Sequence, residues 1–308
     1  HEAPVTRSKK GGPDESNLPE VLKLIENHCG NDFQNYKSPT LLRRIIRRMG
    51  HLGKTNFKDY MALLRTDPNE CQTLGKEFLI GVTKFFRDSA AFDIIRNDVL
   101  PKLIDSKEDG DVLKIWVTAC STGQEAYSLA IMIDDMLRDK QRQLEVKIFA
   151  TDMDAEAIEV ASRSMYPADA LQDLPTDWID RYFIRQTGTV SVIPQIRKQI
   201  VFARHNIIKD PPFIKNDLVT CRNMLIYMNN ILQRKVLSTL LFSANTGGYL
   251  FLGPSEIPAS IKGSIEEVDS KWKIYKKISD SNPYRAENLS AGYSIGKRHW
   301  QQPAELKE

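Results

Sequence analysis

Cysteine is scarce in this chain and scattered: four residues in 308, Cys29, Cys71, Cys120 and Cys221, with no paired spacing. That spacing argues against a disulfide framework or a zinc knuckle and reads as reduced thiols in a cytoplasmic protein, with no metal ligands to assign. Long apolar runs are missing as well. None approaches the roughly 18 residues a membrane helix needs, so no membrane insertion is expected. Charge of one sign is not in excess: 43 Lys and Arg stand against 40 Asp and Glu. The formal net charge of +3 is too small to argue for nucleic acid as a partner. Internal repeats are absent, and the opening His1-Glu2-Ala3-Pro4 has neither an initiator Met nor an apolar leader core. The sequence therefore reads as a cut from a longer chain. What remains is ordinary for a soluble globular protein, 41% apolar and 27% charged. The length suffices for a core of about 200 residues and a smaller module.

Residues 1–16 are polar and rich in Gly, Pro and Ser, and are expected to be a disordered tail. From 17 to 80 the pattern is helical. Leu42, Ile45, Ile46 and Met49 fall at i, i+3, i+4 and i+7, which predicts one apolar face, with Arg44, Arg47, Arg48 and His51 on a neighbouring one. Between Lys37 and Arg65 eight Lys and Arg face a single acid, Asp59, so this is a small basic helical domain. From Val112 strands and helices alternate: strand 112–118, helix 125–138, strand 146–151, helix 154–164. Two consecutive strand–helix units predict an α/β fold with a parallel sheet. A β-looking excursion follows at 182–204, then a strand at 217–221, a helix from about 230 to 243 and a strand in 247–252. Runs 265–268 and 272–278 suggest an antiparallel edge pair, and residues 280–308 form a polar tail or linker.

The segment that carries most chemical information is Val112 to Ser128. An apolar strand stops at Ala119-Cys120-Ser121-Thr122-Gly123 and a helix begins at Glu125. A second apolar run ends in Asp152, where α/β nucleotide folds place an acid on ribose hydroxyls. A dinucleotide fingerprint has three glycines and its acid about 20 residues on. Here there is one, Gly123, and Asp152 lies 29 residues beyond it. No phosphate-cradling loop with a Lys is evident. Such a sparse turn suits a nucleoside ligand without phosphate, such as S-adenosylmethionine, and is equally compatible with a sheet whose turns are simply tight.

Further motifs bear on the choice: Thr-x-Phe-Phe-Arg at 83–87, Ser-Thr-Gly-x-Glu at 121–125, Phe-Ala-Thr-Asp at 149–152, Cys-Arg-Asn-x-x-Ile-Tyr at 221–227 and Gly-Gly-Tyr-Leu-Phe-Leu-Gly-x-Ser-Glu at 247–256. In this order they resemble the CheR-type chemoreceptor methyltransferases, from about residue 18 to 278. Tyr-Lys-Ser-Pro-Thr-Leu-Leu-Arg-Arg at 36–44 looks most like the CheR module of fused methylesterase–methyltransferase chains. The resemblance implies a Rossmann-like methyltransferase sheet over 81–279, with a small inserted β-subdomain at 182–204, behind the helical domain. It implies S-adenosylmethionine as cofactor, S-adenosylhomocysteine as product, and esterification of glutamate side chains on chemoreceptor helices. Fused or associated methylesterase and sensor domains are further expected partners.

By the same resemblance Thr83, Arg87, Ala119, Glu125, Asp152, Asn206, Ile207, Asn223 and Met224 match cofactor-contacting positions. Arg87 and Tyr227 would orient the substrate carboxylate, and Arg44, Arg47 and Arg48 would meet the acidic receptor helices. One departure stands out: the family often has Asn where this chain has Gly81. Free glutamate, with a pKa near about 4.3, is already an anion at neutral pH. Displacement on a sulfonium methyl thus needs alignment and exclusion of water, with no His or Cys constellation. Two rivals stay open: a non-catalytic S-adenosylmethionine-binding sensor or scaffold, and a DNA adenine methyltransferase. The second is suggested by Asp210-Pro211-Pro212-Phe213, but that motif precedes the strand at 217–221 when it should end it.

Overall fold

The computed structural model describes residues 12–280. Most of the tail expected at 1–16 and nearly all of 280–308 lie outside them. Within the first tail, Asp14 caps a 3-10 turn at Glu15–Asn17, so order begins a little earlier than the composition suggests.

Four helices build the N-terminal unit: α1 (Leu18–Cys29), α2 (Ser38–His51), α3 (Phe57–Thr66) and α4 (Pro68–Phe78). Three start with proline in the first turn, where the missing N–H has no partner to lose. Asn56 and Asp67 cap α3 and α4 by accepting from backbone N–H groups two residues on. The buried stripe of α2 is Leu41, Ile45 and Met49, while Ile46 is 55% exposed. The predicted face was thus rotated by one position, because Leu41 extends the Ile45–Met49 row by a turn and spacing alone cannot rank adjacent rows.

The cationic face of α2 is also reduced. Arg48 donates to both oxygens of the buried Glu70, at 2.9 and 2.7 Å, and lies 3.6 Å from Glu77. Tyr60 donates to the same carboxylate at 2.8 Å, and burial together with that charge pushes its phenol well up. Arg48 therefore ties α2 to α4, while Arg47 is exposed and Arg44 half-buried. Replacing Glu70 by Gln leaves a half-buried guanidinium short of its main partner. It is expected to cost about 2 kcal/mol. A thermal unfolding midpoint unchanged from wild type would show that the pair contributes nothing net.

After α4 come a short strap at 79–84 and helices α5 (Ser89–Ile94) and α6 (Leu100–Asp105). The sheet domain then runs β1 (Val112–Thr118), α7 (Gln124–Asp139), β2 (Glu145–Asp152), α8 (Ala155–Arg163), β3 (Met165–Pro167), α9 (Thr176–Tyr182), β4 (Phe183–Gln186), β5 (Thr189–Val192), α10 (Pro194–Arg197), β6 (Ile200–Arg204), β7 (Asn216–Cys221), α11 (Asn230–Ser243), β8 (Ala244–Leu252), β9 (Ile265–Asp269) and β10 (Ile274–Lys277). The main sheet has the order β6-β2-β1-β7-β8-β10-β9. Its first five strands are parallel, and β9 and β10 close it antiparallel. Parallel strands covered on both faces read as near-continuous apolar runs, which is how β1 appears in the sequence, interrupted only by Lys114.

The excursion at 182–204 divides differently from its reading. Only β4 and β5 form its hairpin, joined by β3 from upstream into a three-stranded sheet. Residues 200–204 are instead β6, the outer parallel strand of the main sheet beside β2. Sequence proximity to the hairpin concealed that switch.

Candidate active site

The chain leaves β1 for β2 on one side and β7 lies on the other, so the carboxyl end of β1 is a topological switch point, where open α/β sheets bind ligands. The turn there is unusual. Ala119, Ser121 and Gly123 all have positive φ, 51°, 50° and 92°. For the two residues with side chains this costs about 1 kcal/mol or more each, and it persists only where the surroundings over-determine it. The neighbouring tip of β2 does so. Cys120 N–H donates to Thr151 O at 2.9 Å and Ser121 N–H to Asp152 Oδ2 at 2.8 Å. At Gly123 a Cβ would lie 2.8 Å from Ala161 Cβ and 3.1 Å from the Phe202 ring, so glycine is required for α8 and β6 to close on the turn.

Asp152 also accepts from Asp154 N–H, at 2.9 Å. Burial raises its carboxyl above the ordinary value in spite of those bonds. Glu125, in the first turn of α7, accepts from Thr220 Oγ1 at 2.6 Å and from Arg222 at 3.1 Å. Thr83 reaches the same cleft from the strap and Arg87 from the segment just after it, with Arg87 donating to Val82 O at 2.8 Å. A Cβ on Gly81 would lie 3.0 Å from Ser121 Oγ, a buried hydroxyl without a hydrogen-bond partner among the described residues. The strap therefore rests directly on the turn, and the small residue at 81 permits it.

Asn206 and Ile207 enter from the loop after β6, where Asn206 Oδ1 accepts from Ile208 N–H at 2.9 Å. His205 packs edge-on against Trp116. Asn223, with φ of 59°, and Met224 follow β7. The buried Glu256 carboxylate braces them, accepting from Gly253, Met224 and Leu225 N–H at 2.6, 2.9 and 2.7 Å. Tyr227 lies beyond, and its carbonyl accepts from Lys37 N–H at 2.8 Å. Thus the positions assigned to cofactor and catalysis come from five separate segments and line one cleft, whereas Arg44, Arg47 and Arg48 do not line it. Cys120 and Cys221 are buried, and burial pushes both thiols far up, away from nucleophilic use.

Two contributors were missed. Tyr36, preceding α2, forms an antiparallel bridge with Met228 and lines the cleft; burial pushes its phenol up to about 12. Nothing in its sequence neighbourhood signals that. The other is Arg222, whose side chain is 1% exposed. It donates to Asp88 at 2.7 Å, to Arg87 O at 3.0 Å and to Glu125, and its guanidinium lies 4.4 Å from the Phe251 ring centroid. A cation directly after a fully buried strand must find carboxylates. That signal was legible in Cys-Arg-Asn.

The donor set suits a ligand carrying positive charge and no phosphate. Three carboxylates, Glu125, Asp152 and Asp154, line the cleft beside two guanidiniums, Arg87 and Arg222, and no lysine joins them. Among the described residues no group of three or more His, Cys, Asp or Glu could hold a metal ion. No helix among them is long and apolar enough to cross a membrane.

Comparison with known proteins agrees with this chemistry. The family model "CheR methyltransferase, SAM binding domain" matches residues 81–274, and "CheR methyltransferase, all-alpha domain" matches 16–79. An uncharacterized 104.1 kDa protein of Rhodobacter capsulatus is 38% identical over 261 residues, 85% of this chain but 27% of that relative. Chemotaxis protein methyltransferase 1 of Pseudomonas aeruginosa is 31% identical over 239 residues, 76% of this chain and 87% of the relative. The chemotaxis protein methyltransferase of Escherichia coli is 28% identical over 244 residues, covering 77% and 82%.

Proposed function

Because the chain belongs to the CheR methyltransferase family, whose S-adenosylmethionine-binding domain it carries, we propose that it O-methylates glutamate side chains on the cytoplasmic helices of chemoreceptors. The observation that carries this reading is the meeting of Asp152 and Glu125 with Arg87 and Tyr227 in one cleft. When bound, S-adenosylmethionine supplies an electrophilic methyl on a sulfonium sulfur. Asp152 would accept from the ribose hydroxyls, and Glu125 with the cleft's other acids would favour the cationic ligand over its neutral product. Thr83, Asn206 and the backbone at Ala119, Ile207 and Met224 fix its orientation, with Asn223 beside them. Arg87 and Tyr227 would hold the acceptor carboxylate beside the methyl group. The acceptor is already ionised, so no base is needed, and the products are a methyl ester and S-adenosylhomocysteine.

Tyr36 and Lys37, bonded to the 227–228 segment, lead directly into α2, so its Arg44 and Arg47 lie on the unit that roofs the cleft. This supports acidic receptor helices as the partner there. The Rhodobacter relative, of which the chain spans 27%, is long enough to hold further domains, and a fused setting with sensor or methylesterase domains in the cytoplasm is part of the same proposal.

Calorimetric titration with S-adenosylhomocysteine, followed by labelled-methyl transfer to a purified receptor cytoplasmic domain, tests the proposal. Base-labile label on glutamates is expected. Binding without transfer defeats the enzyme reading, and label in duplex DNA would favour the DNA methyltransferase. Tyr227→Phe removes one hydrogen bond to a charged acceptor, about 1.5–3 kcal/mol. Its kcat is therefore expected to fall by about 10-fold or more with product affinity unchanged; unaltered turnover removes Tyr227 from the mechanism.

A further inference from the structure

Arg87 sits on a segment without regular secondary structure, between two residues of positive φ, Phe86 at 48° and Asp88 at 63°. Left-handed backbone at two non-glycine residues flanking one side chain needs external contacts to hold it. For Asp88 the contact is the buried Arg222. For Phe86 there are two. Its N–H donates to Ser128 Oγ at 2.9 Å, and its ring packs against Phe92 and Trp178, with centroids 5.2 and 5.1 Å away. Trp178 belongs to α9, which leads into the small sheet. The Arg96 guanidinium lies over the Trp178 ring and is itself fixed to the buried Asp135 at 2.8 Å.

The same unit meets the segments that frame the cleft twice more. Phe85 stacks edge-on against Tyr166 of β3 and Phe183 of β4, at 5.1 and 5.4 Å. Tyr166 Oη donates to Thr122 O, inside the strained turn, at 2.7 Å. The segment carrying Arg87 and the strained turn thus both rest on the small sheet and its helix.

We propose that Trp178 is a positioning residue for Arg87: its ring keeps Phe86 in the left-handed conformation that presents Arg87 to the cleft. The small sheet with α9 is then a support behind the donor site, whatever else it binds. This rests on the reading that Arg87 faces donor or acceptor.

The test uses the whole chain and three variants, Trp178→Ala, Trp178→Phe and, as a control on the outer edge strand, Ile265→Ala. Amide hydrogen exchange over 84–88 reads the position of the segment, and S-adenosylhomocysteine calorimetry reads the site. Trp178→Ala is expected to speed exchange there by about 10-fold and to weaken binding by about 10-fold. Trp178→Phe restores most of both, since an aromatic ring still packs on Phe86. Ile265→Ala lowers the unfolding midpoint and changes neither. The proposal is overturned if Trp178→Ala folds with exchange and affinity unchanged, or if Ile265→Ala reproduces its losses. A wild-type chain that binds no S-adenosylhomocysteine would sink the functional reading, while exchange at 84–88 would still decide this one.

Discussion

Replacing Asp152 by Asn is expected to weaken S-adenosylhomocysteine binding by about 100-fold. Hydrogen bonds to a charged acceptor are worth about 1.5–3 kcal/mol each, and a ribose offers two hydroxyls. A loss near 3 kcal/mol is about two powers of ten in affinity. The amide also places an NH2 where Ser121 or Asp154 N–H now donates, so the strained turn loses a brace. Calorimetry at fixed salt measures the effect; an affinity within about threefold of wild type would remove Asp152 from the site.

The same carboxyl gives a pH signature. Burial raises its folded pKa, so Asp152 contributes stability to the empty protein below its unfolded value of 3.8, and that contribution is lost as pH rises through the raised folded value. At neutral pH the free protein holds a costly buried charge, which ribose donors then stabilise. Affinity should therefore decline as pH falls through the raised pKa, beginning above the usual aspartate range. The Asn variant should lack that slope.

Replacing Arg222 by Met should destabilise the fold and the site together. Two carboxylates, Asp88 and Glu125, lose their shared cation, and Glu125 is the more buried of them. Uncompensated buried charge costs about 3–5 kcal/mol. Asp88 is nearly a third exposed, so the lower end applies, about 3 kcal/mol, which is roughly 10 °C in unfolding midpoint for a domain of this size. Binding should fall in parallel, since Asp88 and Arg87 O are both held by this guanidinium. Arg222→Lys should recover only part, because a point charge cannot span both acids while stacking on Phe251. A Met variant with wild-type midpoint and affinity would show the network to be incidental.

Periodicity and residue type reach as far as local physics does. The β1 strand was legible to the residue, since a parallel strand buried on both faces is a continuous apolar run. The helices α7 and α11 were legible within a residue or so, and Asp152 at a strand tip declared itself by position. The lone glycine in the turn was read as a sign of a phosphate-free ligand. The structure adds that Ala119 and Ser121 adopt glycine-like backbone without being glycine. No local propensity encodes this, because the force that holds them comes from Thr151 and Asp152, some thirty residues away.

What the amino-acid order determined by itself was the alternation of strand and helix, the acid-bearing strand ends and the motifs that mark the family. Tertiary structure decided which cations were free and which chain segments met. Arg48 looks like Arg47 in sequence, yet a buried carboxylate 22 residues on takes it out of the exposed face. The assignment of β6 to the main sheet, the entry of Tyr36 into the cleft and the capture of Arg222 between Asp88 and Glu125 all depend on contacts across distant parts of the chain. Burial and pairing are properties of the packed molecule: a side chain's charge is written in the sequence, but its partner is chosen only when desolvation makes being unpaired costly.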